Sequence, residues 1–158
     1  MKYITKETCR LFPAAEGKGF EETVNDKTDE QMRQAFDSMR TRLQKAGNEY
    51  TYYYVMISQN IPEHIRKNYG FHDRQVLCAE MSGADFVLTL SDDSDQSFNR
   101  VIYKNAEVLQ NENVIGCTWL YDEIIISADG DFEYHAILEG EREDYRYLTV
   151  KAKDMEFI

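Results

Sequence analysis

A chain of 158 residues with 42% hydrophobic and 13% aromatic side chains has an ordinary globular composition, too apolar for a disordered segment and long enough to bury one core. Its net charge of −11 argues against nucleic acid and against an anionic membrane surface, both of which need clustered Lys and Arg. A basic protein or a divalent cation is compatible with it, and the imbalance is local: residues 1–70 hold 10 acidic and 11 basic side chains, residues 71–158 hold 19 and 7.

The polar run Lys2-Tyr3-Ile4-Thr5-Lys6-Glu7 after Met1 is not a signal peptide, and no window approaches the roughly 18 apolar residues of a membrane span, so a cytoplasmic protein is expected. Residues 5–12 read as a short helix ended by Pro13, with Ile4, Thr8, Leu11 and Phe12 on one face. Residues 14–24 read as a loop. A stronger helix begins at Thr28, which forms a capping box with Gln31. Met32, Ala35, Phe36, Met39 and Leu43 recur at steps of three and four, a stripe expected to pack in the core. Gly47 is placed to end this helix. Over residues 50–57 the composition favours a strand, whereas Tyr50, Tyr53, Tyr54, Ile57 and Ile61 fit a helical stripe. The setting between two helical patterns favours helix. Residues 62–69 make another short helix, with Pro62 in its first turn and Ile61, Ile65 and Tyr69 on its buried face.

After Gly70 the apolar period changes from 3.6 to 2. Strands are expected at 76–81 and 85–90, joined at Ser82-Gly83, then at 98–103, 106–110 and 119–127. Asp129-Gly130 is the best hairpin signal and leads into a strand at 132–138. In the last strand Leu148, Val150 and Ala152 share a face, but Met155 and Phe157 have the opposite parity. A β-bulge near Lys153-Asp154 would restore the phase and keep the terminus paired. The whole is expected to be a single α+β domain, 1–158. Helices in 1–70 would pack on a curled, mostly antiparallel sheet of about six to eight strands in 71–158.

Motifs that bear chemistry are sparse. Cys9, Cys78 and Cys117 lack metal-ligand spacing and read as free thiols in a reducing compartment. Asp92, Asp93 and Asp95 lack the glycine and closing Glu of a calcium loop. No nucleophile elbow and no phosphate-cradling glycine loop occurs. His72-Asp73, at the junction of the two halves, has the composition of an oriented base or a metal-ligand pair; the alternative is a capped turn. His135 shares a strand face with Glu133 and Ile137. With Asp122 or Glu123 of the preceding strand it would complete a His–carboxylate cation site beside His72; the alternative is cross-strand charge pairing on an exposed face. Trp119 and Tyr121 are a candidate interface, since Trp and Tyr dominate binding hot spots, although a lone Trp is more often a core anchor. Tyr50, Tyr53 and Trp119 could also line a small-ligand pocket between helices and sheet.

Several short stretches carry a resemblance: Lys2 to Glu7, His72-Asp73, Trp119-Leu120-Tyr121-Asp122-Glu123-Ile124, Gly130-Asp131-Phe132-Glu133-Tyr134-His135 and Ala152-Lys153-Asp154-Met155-Glu156-Phe157. Together they resemble a family of small bacterial proteins, the domain-of-unknown-function family forty eighty-five. The resemblance implies a bacterial, cytoplasmic, helix-then-sheet protein whose Tyr-rich run is helical; it implies no activity. The expected function is a non-enzymatic interaction module for a basic partner, comparable in charge and size with small acidic proteins that neutralise toxins. No cofactor is then expected. The alternative is a metal-assisted hydrolase or cation-binding protein using His72, Asp73 and His135, with a divalent metal.

Overall fold

The computed structural model describes residues 2–10, 27–92, 96–141 and 144–158. The expected loop at 14–24, the end of the first helix at Leu11-Phe12-Pro13 and most of the acidic cluster at 93–95 lie outside them. The fold is α+β: helices come first, then eight antiparallel strands.

Thr5 and Thr8 form a reciprocal capping box that starts helix α1, Lys6–Cys9. Thr28 and Gln31 do the same for α2, Asp29–Ile57. Gly47 does not end α2, because the Tyr-rich run after it continues the helical stripe and finds partners on the sheet. That run is therefore helix. The expected core stripe at the start of α2 is only partly buried: Met32, Ala35, Met39 and Leu43 are half-buried, Leu43 against the cluster that holds Ile137, while Phe36 is half exposed and the first fully buried residue of the helix is Ala46. A single turn, Ser58–Asn60, links α2 to α3, Glu63–Asn68. Pro62 sits at the N-cap of α3, and Ile61 and Ile65 are buried as their spacing predicts.

The strands are β1 Val76–Ser82, β2 Asp85–Leu90, β3 Arg100–Lys104, β4 Glu107–Asn111, β5 Thr118–Ile126, β6 Phe132–Glu139, β7 Tyr145–Ala152 and β8 Asp154–Phe157. They form two four-stranded sheets, ordered β1-β2-β3-β8 and β4-β7-β6-β5, rather than one curled sheet. This explains the parity change after Ala152. No bulge occurs there; the chain leaves the second sheet at Lys153 and enters the first, with Met155 opposite Tyr103. The terminus is paired, as expected. Bulges lie elsewhere, where register slips past Leu77, Leu109 and Leu120, and Leu77 and Leu109 are about half exposed.

The main core lies between the sheets. Phe86, Leu88, Leu90, Val101 and Met155 of one sheet face Phe132, Tyr134, Ala136, Leu138, Leu148 and Val150 of the other, and α3 adds Ile65. The outer face of the second sheet is also covered. There Ile137 packs with Ile4, Cys9 and Ala46 beneath the N-terminal segment and α2.

Candidate functional site

Asp122 and Glu123, the alternative carboxylates of the expected cation site, lie on opposite faces of β5. Asp122 pairs with Ala136, whose side chain is in the main core, while Glu123 pairs with His135 on the outer face. Alternation along a strand makes this separation unavoidable.

Glu123 is wholly buried, yet it faces backbone rather than an ion. Its Oε2 accepts from Lys2 N (2.9 Å), and its Oε1 accepts from Tyr3 N (3.0 Å) and Ile4 N (2.5 Å). One carboxylate thus fixes the segment leading into α1 against the sheet, with charge-assisted bonds.

Asp122 is the end of a chain of hydroxyls. The Ile124 N–H donates to Tyr50 Oη (2.7 Å), Tyr50 Oη lies 3.3 Å from Tyr69 Oη, and Tyr69 bonds Asp122. The Trp119 indole N–H (2.8 Å) and the Phe71 N–H (3.4 Å) also donate to Asp122 Oδ2. Burial raises the Asp122 pKa above the ordinary carboxylate value against these bonds, and raises those of Tyr50 and Tyr69 too. Tyr53 Oη accepts from Ile126 N (3.1 Å). Because β5 is an edge strand, these tyrosines supply acceptors that a neighbouring strand would otherwise give.

His72 and Asp73 pair at 3.0 Å with both side chains largely exposed, and the His72 ring meets Tyr121 edge-on at 5.8 Å. Asp73 has φ +66 and its N–H donates to Trp119 O, so the residue builds the turn into β1. His135 is covered, not exposed. Its Nε2 lies 3.1 Å from Glu133 Oε2, and its Nδ1 is buried without a partner. Burial lowers its pKa below the usual histidine value, and the arrangement fits a neutral ring protonated on Nε2. Among the described residues, no three His, Cys, Asp or Glu side chains are grouped to hold a metal.

Trp119 is a core residue, 2% exposed and packed edge-on against Phe71 at 5.1 Å, so it is not an interface centre. Tyr121 is partly buried beside the second cluster. Neither of two clefts on the surface joins Tyr50 and Tyr53 to Trp119. Instead an open cleft of about 480 Å³ lies outside α2, lined by Tyr3, Asn48, Glu49, Tyr52, Tyr53 and Met56. A second, of about 410 Å³, lies between α3 and β8 and includes His64 with Asp154 at 2.8 Å and Lys104 with Glu156 at 3.0 Å.

Compared with protein-family models, curated proteins and solved structures, the chain matches none.

Sequence reasoning missed the cleft outside α2, because Tyr3 and Tyr53 lie 50 positions apart in the chain and meet only when Glu123 holds the N-terminal segment. It also missed Arg74, a buried arginine that donates to Ser91 O, Gln96 Oε1 and Phe98 O and so ties those three residues to the chain entering β1. The apolar exposure of Tyr52, Val55 and Met56 had a signal: they fall off the Tyr50–Tyr53–Tyr54–Ile57 stripe.

Proposed function

We propose that the protein is a non-enzymatic interaction module that binds a basic protein partner. One observation carries this reading: α2 exposes Tyr52, Val55 and Met56 together on a strongly acidic molecule. Tyrosine gives a large rigid contact and methionine an adaptable one, and both are enriched where proteins bind. The net charge of −11 steers a basic partner toward the molecule. The engagement of Asp122 and Glu123 in holding the fold also supports a binding role over a catalytic one. On the short motifs described above, the reading takes the chain as a cytoplasmic bacterial protein of the family forty eighty-five, working without a cofactor.

The test is capture of basic proteins on immobilised protein at low and moderate ionic strength, with Val55→Ser as the variant. The expected result is retention that falls at least tenfold between about 50 mM and 300 mM salt, as exposed charges are screened, and that Val55→Ser weakens further. Retention indifferent to salt, or none at low salt, would remove the reading.

A further inference from the structure

The two sheets end in four edge strands, and each edge carries a row of backbone groups that the fold must satisfy or guard. The β5 edge meets the Tyr50 and Tyr53 hydroxyls. The β8 edge lies beside α3, where His64 reaches Asp154 at 2.8 Å. The β4 edge is interrupted at its centre by the bulge at Leu109. The β1 edge is different: its register with β2 runs unbroken from Cys78 to Ser82, and among the described residues no hydrogen bond reaches its free side there. The start of the strand shows which groups face outward. Val76 N donates to Cys117 O and Val76 O accepts from Gly116 N, both on the side away from β2. Ala79 and Met81 lie opposite the core residues Leu88 and Phe86, on the same inward face as Val76, so antiparallel alternation turns their N–H and C=O the same way. The side chains add a pattern. Leu77 and Met81 are each about half exposed, as is Ile115 beside the Gly116 that meets Val76. Glu80, on the outer face, is exposed, and no cation pairs with it among the described residues.

We propose that β1 is extended by a strand from the partner, a segment in which apolar and basic residues alternate. Its backbone pairs with Ala79 and Met81, its apolar side chains lie along Met81, and its cations face Glu80. The inference rests on the basic-partner reading for the sign of the charge and goes beyond it by naming a surface other than α2 and the form of the segment that binds. The charge is in the right half of the chain, since β1 belongs to residues 71–158, with 19 acidic and 7 basic side chains. A second copy of this chain is the competing occupant, and charge argues against it. Pairing β1 with β1 puts two unneutralised carboxylates on one short ladder, between molecules of net charge −11. A carboxylate at an open edge thus guards against self-pairing and favours a strand that brings the opposite charge.

The probe is an end-capped peptide of about eight alternating valine and lysine residues, a typical strand length. It is titrated into the full chain at low salt and read by the NMR shifts and hydrogen exchange of the Ala79 and Met81 amides. Two further forms carry N-methyl groups on the valine amides or on the lysine amides, because only one alternate set can face β1. Glu80→Gln removes the charge at an exposed position where no packing depends on it. The expected result is saturable shifts and slowed exchange at Ala79 and Met81. One methylated form should bind at least about tenfold more weakly and the other within about twofold. Glu80→Gln should weaken binding about two- to fivefold. Equal affinity of the two methylated forms overturns strand addition, and unchanged affinity in Glu80→Gln overturns the charge match. Shifts confined to Met56 and its neighbours on α2 overturn the β1 site and leave the basic-partner reading standing. So does absence of peptide binding while basic proteins are still retained in the salt-dependent way. Protection of the Ala79 and Met81 amides that rises with the concentration of the chain alone overturns the partner strand in favour of a second copy.

Discussion

Glu123 engages the backbone of Lys2, Tyr3 and Ile4 with both oxygens, so Glu123→Gln turns one acceptor into a donor facing a donor. The expected cost is about 1.5–3 kcal/mol in chemical denaturation, the range for hydrogen bonds to a charged group. Trypsin should also cut after Lys2 and Lys6 sooner than in the parent, because the segment is no longer held. An unchanged midpoint with unchanged cleavage would refute the latch. His135 gives a prediction in pH. Burial lowers its folded pKa below the 6.5 of the free side chain, so the unfolded chain takes the proton first as pH falls. Its stabilising contribution is full above about pH 6.5 and is lost as pH drops toward the folded pKa. The denaturation midpoint should therefore fall from pH 7 to pH 5.5, and His135→Gln should flatten that part of the profile; a parallel decline in the variant would assign it to other groups. The alternation of strand residues made the shared face of Glu133, His135 and Ile137 legible. It could not show that an N-terminal segment covers that face, because nothing local ties Ile4 to Ile137.

Helix α2 was legible as two helices and is one. The stripe before Gly47 and the tyrosine run after it were each readable, but a glycine stops a helix only if the chain beyond has nothing to gain by continuing. Here Tyr50 and Tyr53 gain the free amides of Ile124 and Ile126 on the β5 edge. Tyr53→Phe should leave the Ile126 amide without that acceptor, at about 1 kcal/mol. In hydrogen exchange, that amide should lose protection about fivefold, with little change at Ile124. Tyr50→Phe should cost more, since it also breaks the chain to Tyr69 and Asp122. Exchange at Ile126 that is indifferent to Tyr53→Phe would mean the edge is protected by other means. The strand faces were legible for the same reason the bulges were not. Inward residues such as Phe86, Leu88, Leu90 and Leu148, Val150, Ala152 alternate in the chain. A bulged leucine such as Leu77 or Leu109 looks like any other apolar strand residue until its partner strand is known.

At the scale of the molecule, the change of period at residue 71 marks where helices give way to strands, but the number of sheets depends on pairing across the chain. The single residue Lys153 separates β7, paired with β4 and β6, from β8, paired with β3, and its N–H donates to Lys104 O at 3.1 Å. At the opposite side Gln75 bridges Thr118, and Trp119 N donates to Arg74 O. The acidic residues are divided accordingly. Glu80, Asp85, Asp154 and Glu156 lie on one sheet and Glu107, Glu133 and Glu139 on the other, while Asp122 faces the main core and Glu123 is buried on the outer face beneath the N-terminal segment. Because the main core takes side chains from both sheets, neither sheet can keep its inner face buried once the other is lost. Trp119 belongs to that core, so its fluorescence reports core loss, whereas far-UV circular dichroism weights the helices. If the sheets unfold as one unit, the fluorescence transition in urea should be a single sigmoid that coincides with loss of exchange protection in β2 and β6. Amides near the start of α2, where Phe36 is half exposed, should exchange well before those near Tyr50 and Tyr53. Separate transitions for β2 and β6 would show that the links at Lys153 and Gln75 do not couple the sheets, and the chain would then behave as two folding units.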